Sequence, residues 1–441
     1  MSRARAANAS VEVEVTRARG LTGLSRVQAI GAAFVVFGLL TAGLLSRALP
    51  SPDVTLVFGL GDAAPRLPLD PPNTAAGIGA MILLAGVAAL LERRTGRWAG
   101  VALLGSVALV VPLVLVSALA LSNSSQTNVV PLVVEALRLG TPIALGALAG
   151  LWCERAGVVN IGIEGMMLSA AGVGFITYAV IGGGTGGTWL YLGVLVAVLV
   201  GGLLAALHAW LSVTFRVDQI ISGVAINLLA IGVTSFLRRQ VLLPSGVGSS
   251  QTLPTLRIPL LADIPVVGGP LFTGKPIYYS MFLLVALTGV VLFRSKWGLR
   301  VRSVGENPRA AETLGIDVVR TRYQAVIVGG MIAGLGGAWF SLETVGSFDD
   351  LMTNGKGFIA LAALIFGKWR PWGAFGGAML FGFADALGTR IQLIDVSISG
   401  NPVPSQFLQV LPYVVTIVVL AGAIGRATPP AAVGVPYRRA Q

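Results

Sequence analysis

Apolar runs about twenty residues long follow one another along most of this chain, separated by short polar clusters. Twenty helical residues cover a hydrocarbon layer of about 30 Å. Each run therefore predicts a membrane-crossing helix. The runs are Val27–Leu45, Ala75–Leu91, Ala99–Leu121, Val130–Trp152, Gly162–Ile181, Trp189–Phe215, Ile220–Leu237, Tyr279–Phe293 and Tyr323–Val345. Two shorter pieces follow, Phe358–Phe366 and Trp372–Leu387, and then a last run, Phe407–Gly422. The pattern predicts an all-α polytopic transmembrane bundle of about ten to twelve spans. The two short pieces, split by Lys368–Pro371, read either as spans or as a re-entrant pair, and the second reading lowers the count.

The polar clusters have their own pattern. Arg294–Arg322 carries Arg294, Lys296, Arg300, Arg302, Arg309, Arg320 and Arg322, with Glu306, Glu312 and Asp317 among them. Inside it Asn307 is a good N-cap, Pro308 a good first helical residue and Gly315 a good stop. These signals predict a helix of about two turns over Pro308–Leu314, with Ala311 and Leu314 on one face. So short a helix is marginal alone in water. It is either a polar connector or a helix that docks against something, and the second reading is favoured here. A long loop, Arg238–Tyr278, is the other large polar feature.

Alternating the spans places the N-terminal tail, Arg93–Arg97, Glu154–Arg155, Arg216, Arg294–Arg322, Lys368–Arg370 and the C-terminal tail on one side. By the positive-inside rule that side is cytoplasmic, with both termini on it. Arg238 and Arg239 are the exceptions.

Composition agrees with this reading. Hydrophobic residues are 55% and charged residues 11% of the chain, against about a quarter charged in soluble domains. The net charge of +12 would suggest nucleic acid in a soluble protein, but here it lies between spans, so no nucleic-acid partner is expected. The 58 glycines suit close helix packing and helix breaks. Cys153 is the only cysteine, and His208 stands alone in an apolar run, so no disulfide and no metal site is expected. Val27–Leu45 is longer than a signal-peptide core and reads as a retained anchor, with cleavage the alternative.

Two stretches look like broken helices. In Glu154–Leu168, Gly157, Gly162 and Gly165 bracket Asn160 and Glu164. Lipid cannot satisfy freed backbone groups, so a break must be packed in protein or line a cavity. An acid at that depth is a functional candidate; the alternative is a solvated turn between spans. In Glu343–Gly357, the polar residues Glu343, Asp349, Asp350 and Asn354 lie among Trp339, Phe340, Phe348 and Phe358. Aromatic faces with amides and carboxylates suit a planar polar ligand, although Trp369 and Trp372 read as plain interface anchors. Asn227 reads as an interhelical hydrogen-bonding residue rather than a ligand contact. Gly146–Gly174 resembles Gly334–Gly367, and by the alternation of spans the two copies are inverted. Transporters place binding sites near such discontinuous, inverted helices; chance likeness between Gly/Ala-rich stretches is the alternative. The candidate pathway residues are Asn160, Glu164, Gly165, Trp339, Glu343, Asn354 and Phe358.

WGLRVRSVGENPRAAETLGI, ERAGVVNIGIEGMML and GGAWFSLETVGSFDDLMTNGKGFIALAALIFGKWRPWGAFGGAMLFGFADAL, in that combination, resemble the membrane permease subunits of bacterial ABC importers. The likeness is to the ribose-type and branched-chain amino acid permease superfamily, nucleoside (guanosine/purine) branch. It covers roughly Val129–Gly425, leaving residues 1–26 as a basic tail, 27–128 as an extension and 426–441 as a second tail. The resemblance implies a multi-pass subunit of the bacterial cell membrane, working with a second related permease, a cytoplasmic ABC ATPase and an external substrate-binding lipoprotein. It implies no catalytic residue and no cofactor in this chain, with ATP hydrolysed by the partner. In keeping, no phosphate-binding G-x-x-x-x-G-K-[ST] occurs; Gly355-Lys356-Gly357 lacks the hydroxyl residue and the upstream glycine. The resemblance makes 295–322 the coupling loop, with Arg302, Glu306, Asn307, Pro308, Arg309, Glu312, Leu314 and Gly315 facing the ATPase. The implied function is nucleoside import; the alternatives are an ABC permease for a simple sugar or other metabolite, and an ion-coupled secondary transporter.

Overall fold

The structure, a computed structural model, describes residues 26–59, 64–91, 97–122, 125–247, 250–265, 267–394, 397–398, 401–402, 404 and 427–438. The basic tail up to residue 25, Arg93, Arg94, the last apolar run Phe407–Gly422 and Arg439 lie outside them. The chain divides into two compact units, Met1–Thr55 with Pro68–Ser125, and Leu56–Leu67 with Gln126–Gln441. Among the described residues, eight helices are long and apolar enough to cross a membrane.

The first unit holds α1 (Gln28–Ala48), α2 (Pro71–Leu91) and α3 (Arg97–Ala120). Glycine lets α1 and α2 touch backbone to backbone. A Cβ on Gly38 would lie 2.6 Å from the Leu83 nitrogen and 2.7 Å from the Gly79 carbonyl. Ala75, Ile78 and Ile82 of α2 form a small core with Leu113 and Ala120 of α3.

The second unit begins with α4 (Val129–Arg155), α5 (Ile163–Ile181), α6 (Thr188–Thr214), α7 (Gln219–Ser245) and α8 (Pro276–Arg294). It continues with α9 (Lys296–Glu306), α10 (Pro308–Thr313), α11 (Val318–Val345), α12 (Lys356–Phe366) and α13 (Pro371–Ile394). Helix α7 runs past the expected end and takes Arg238 and Arg239 into its last turns, so the following loop is shorter than the sequence suggested. Helix α12 has 11 residues, or about 16 Å of rise, too short to cross a bilayer. That removes one span from the higher count. Helix α9 was not foreseen: Gly298, Val301, Val304 and Gly305 are buried along one face while Lys296, Leu299 and Arg300 face outward.

Packing in this unit repeats. Helix α4 lies along α13 as α11 lies along α6, and α12 packs on α4 as α5 packs on α11. Gly329 of α11 meets Ala149 and Cys153, while Gly336 meets Leu145 and Pro142, so α4 and α11 are antiparallel. The series α4–α5–α6 is thus matched by α11–α12–α13 in inverted sense. Small residues make the contacts possible. Gly201 and Gly330 face each other so closely that a Cβ on Gly330 would collide with Ala205 and with the Gly201 carbonyl. Gly330→Leu is therefore expected to lower the Tm of the detergent-purified protein by several degrees and cut its yield, since overpacking costs about 1–3 kcal/mol or more. Gly376→Ala, with open space around it, should leave both unchanged.

Candidate functional site

The first break begins where α4 ends. Gly157 takes φ +83°, a left-handed conformation that glycine adopts without strain. Residues 156–162 then cross to α5. Asn227 of α7 stitches this crossing: its Oδ1 accepts from the Gly165 N–H (2.8 Å) and its Nδ2 donates to the Ile161 carbonyl (3.1 Å). Freed backbone groups are satisfied by a neighbouring side chain, which is the interhelical role read for Asn227. A Cβ on Gly165 would stand 2.8 Å from Asn227, so α5 and α7 meet closely here. Asn160 is wholly buried, its Nδ2 3.5 Å from both Cys153 Sγ and Met166 Sδ. Its Oδ1 has no hydrogen-bond partner among the described residues. His208, also buried, lies 3.0 Å from Ser222 Oγ and 2.9 Å from the Val159 carbonyl, so it holds the crossing in place.

The second break runs from Gly346 (φ +68°) to Gly355 (φ +76°), with Leu351 and Asn354 also at positive φ. It leads into α12, whose first N–H groups have no partner within the helix. The Lys356 and Phe358 N–H groups find the Thr353 and Gly355 carbonyls, and Glu164, in the first turn of α5, takes the others. Its Oε1 accepts from Thr353 Oγ1 (2.6 Å) and the Gly355 N–H (2.9 Å), and its Oε2 from the Gly357 N–H (2.6 Å). One carboxylate therefore sits at the N-termini of α5 and α12, where both helix dipoles favour negative charge. Gly357 allows this approach, since a Cβ there would lie 2.6 Å from the Glu164 Cα. The two sequence-predicted breaks are joined through Glu164, and Asn354 and Phe358 are exposed beside that joint. Lys356, the first residue of α12, pairs with Asp385 of α13.

Glu343 and Trp339 are placed differently. Both are buried, with Trp339 edge-on to Phe340. The Glu343 carboxylate accepts from the N–H groups of Ile277 (2.6 Å) and Tyr278 (3.1 Å), capping α8. Lys275 donates to the Glu343 carbonyl (2.5 Å) and to Thr252 Oγ1 (2.7 Å). Burial draws its ammonium below the ordinary lysine range, and the nearby Glu343 carboxylate opposes this. Arg238, the exception in the charge pattern, donates to Asp349 (2.7 Å) and lies 3.7 Å from Asp350. The acids of the second break thus neutralise it.

At the other end, α9 and α10 form the projecting basic segment. Asn307 Oδ1 accepts from the Ala310 N–H (3.1 Å), Pro308 opens α10, and Gly315 (φ +78°) donates to the Glu312 carbonyl (2.8 Å). The helix ends at Thr313 rather than Leu314. Ala311 packs with Val304 and Val318, but Leu314 is 80% exposed, so the two do not share a packed face. Glu306 lies 3.9 Å from Arg155, and the Arg155 and Arg302 guanidinium groups both stack over Phe293. Arg309 is exposed. Trp369, expected as an interface anchor, is instead buried: its Nε1 donates to Glu154 (2.5 Å) and its carbonyl accepts from Arg155 Nη2 (2.6 Å). Trp372, 62% exposed, keeps the outward placement expected of it.

Sequence reasoning missed Arg322, which it grouped with the basic cluster between spans and which is 1% exposed. It also missed the Lys356–Asp385 pair.

Comparison with known proteins converges on one family. Residues 132–421 match the family described as branched-chain amino acid transport system / permease component. The guanosine ABC transporter permease protein NupQ of Bacillus subtilis (strain 168) is 41% identical, over 67% of this chain and 92% of that protein. The nucleoside ABC transporter permease protein NupC of Lactococcus lactis subsp. cremoris is 39% identical, over 69% of this chain and 96% of that protein. The putative glucose ABC transporter permease protein TsgC13 of Haloferax volcanii is 37% identical, over 66% and 90% respectively. Such subunits are not enzymes; they work with an ATPase and a substrate-binding protein. A multi-pass helical bundle, a carboxylate joining two broken helices and a short capped helix in the basic segment sit within the matched residues. The chain belongs to the branched-chain amino acid transport system / permease component family.

Proposed function

We propose that this permease subunit imports nucleosides. The observation that carries the substrate is its identity to NupQ and NupC across nearly their whole length. The geometry carries the mechanism. Glu164 ties α5 to α12, so the two halves of the inverted repeat share one joint. Asn354 and Phe358, exposed beside it, offer an amide and an aromatic face to a base or a ribose. The buried Asn160 and Gly165 shape the wall behind. Trp339 and Glu343 act one step back, through packing and the cap on α8.

ATP is hydrolysed by a separate cytoplasmic ATPase. Closure of that ATPase pushes α10, whose capped ends keep it rigid, and the push reaches the breaks through α9 and α11. The pathway is then completed by a second, related permease, and an external lipoprotein delivers the substrate. Residues 129–425 are the transporting domain, and 27–128 are an extension to it. The likeness to TsgC13 favours one second reading, a simple-sugar permease. The test is uptake of labelled guanosine and adenosine, with ribose and glucose as controls, in cells expressing this chain with its ATPase, its binding protein and the second permease. Uptake of nucleosides that depends on this chain is expected; uptake of only ribose or glucose would overturn the substrate assignment.

The same reading places both termini and Arg294–Arg322 in the cytoplasm and the α7–α8 loop outside. In a Cys153→Ser background, Thr255→Cys should react with an impermeant maleimide in intact cells, and Thr313→Cys only after lysis. Labelling of Thr313→Cys from outside would reverse the orientation.

A further inference from the structure

The last described segment, 427–438, lies against three elements that the transport cycle must move together. The Ala432 N–H donates to the Gly305 carbonyl at the end of α9 (2.9 Å), and the Gly434 N–H to the Gly157 carbonyl in the first break (3.3 Å). The Ala431 N–H donates to Glu306 Oε2 (3.2 Å). Arg322, at the start of α11, donates from Nη1 to the Val435 carbonyl (3.3 Å). Tyr437 packs against the small core of Val304, Ala311 and Val318, which includes the buried side of α10.

These contacts are fitted rather than incidental. Ala432 is 7% exposed. A Cβ on Gly157 would lie 2.9 Å from Arg322 Nη2 and 3.1 Å from the Ala432 carbonyl, so break, arginine and tail converge on one glycine. A buried guanidinium needs acceptors, and the tail supplies one. The segment holds Pro429, Pro430 and Pro436, and proline stiffens a chain against bending. Two successive turns, Val433 N–H to Pro430 and Val435 N–H to Ala432, tighten it further.

We propose that residues 427–438 form a strap that ties α10 and the end of α9 to the Gly157 break. Displacement of α10 then reaches the first break directly, in parallel with the route through α11. Tyr437 and Arg322 are positioning residues in this device. The proposal rests on α10 being the ATPase contact.

The test uses the full complex in proteoliposomes and compares three variants with wild type: a chain ending at Arg426, Tyr437→Ala, and deletion of Pro308–Thr313. ATP hydrolysis and nucleoside uptake are measured in the same reaction. The strap predicts that the truncated chain assembles and hydrolyses ATP, while uptake per ATP falls about tenfold. Tyr437→Ala should shift the same ratio in the same direction by less, and it decides the matter where the truncated chain does not assemble. A wild-type ratio in Tyr437→Ala or in an assembled truncated chain would overturn the strap, and the α10 reading would stand as long as its deletion still uncouples. A wild-type ratio in the α10 deletion would overturn the coupling reading and the strap with it.

Discussion

Glu164→Ala is expected to slow transport severely while the chain still inserts and is still produced. The carboxylate accepts from Thr353 and Gly355, at the end of the second break, and from Gly357, in the first turn of α12. Without it the Gly355 and Gly357 N–H groups lose their acceptor in a partly buried site, and each such loss costs about 1–3 kcal/mol. Uptake should therefore fall about tenfold or more at matched protein levels. Glu164→Gln is no rescue. It keeps one carbonyl oxygen but turns an NH₂ toward a donor, so a repulsive contact replaces an attractive one. Glu164→Asp keeps the charge but shortens the reach, and should retain part of the activity. Labelled-guanosine uptake in cells carrying each variant checks the order Glu, Asp, then Gln and Ala. Uptake at wild-type rate in Glu164→Ala would show that the joint between the breaks is packing alone.

Gly315→Pro is expected to uncouple the complex. Gly315 holds φ +78° and its N–H donates to Glu312; proline fixes φ near −65° and has no N–H. The stop that shapes α10 is lost, and Ala311 is pulled from its seat between Val304 and Val318. The variant should reach the membrane, because no span depends on this turn. ATP hydrolysis in the purified complex should no longer respond to substrate-loaded binding protein, and uptake should fall about tenfold or more. Normal stimulation and uptake would remove α10 from the coupling route.

Much of this was legible before the structure because its signals are local. Apolar run length marks a span, and an Asn-Pro start with a glycine stop marks α10 to within one residue. Glycines around Asn160 and Glu164 mark a break. The partners are what local sequence hides. Nothing near Glu164 says that its carboxylate caps a helix starting at Lys356, because that pairing is made by the packing of two inverted halves. Arg322 and Trp369 follow the same logic: charge and aromatic amphipathicity predict exposure, and long-range acceptors override them. Arg238 breaks the positive-inside pattern only until Asp349 and Asp350 are brought beside it. Helix α9 was hidden by its charge density, although its buried Gly298, Val301, Val304 and Gly305 keep a helical spacing. Leu314 shows the reverse error: helical spacing placed it with Ala311, but the glycine stop ends the helix one residue earlier.

ATP-driven nucleoside import by way of α10 and the Glu164 joint can be reconstituted from purified parts. The measurement is accumulation of labelled guanosine inside proteoliposomes containing this chain, the ATPase and the second permease proposed to pair with it. Loaded binding protein is supplied on one face and ATP on the other. Accumulation above the outside concentration is predicted with ATP, none with a non-hydrolysable analogue, and accumulation slowed about tenfold or more in Glu164→Ala. Accumulation driven by a proton or sodium gradient without ATP would show that ATP does not drive import here, and undiminished accumulation in Glu164→Ala would show that the Glu164 joint does not.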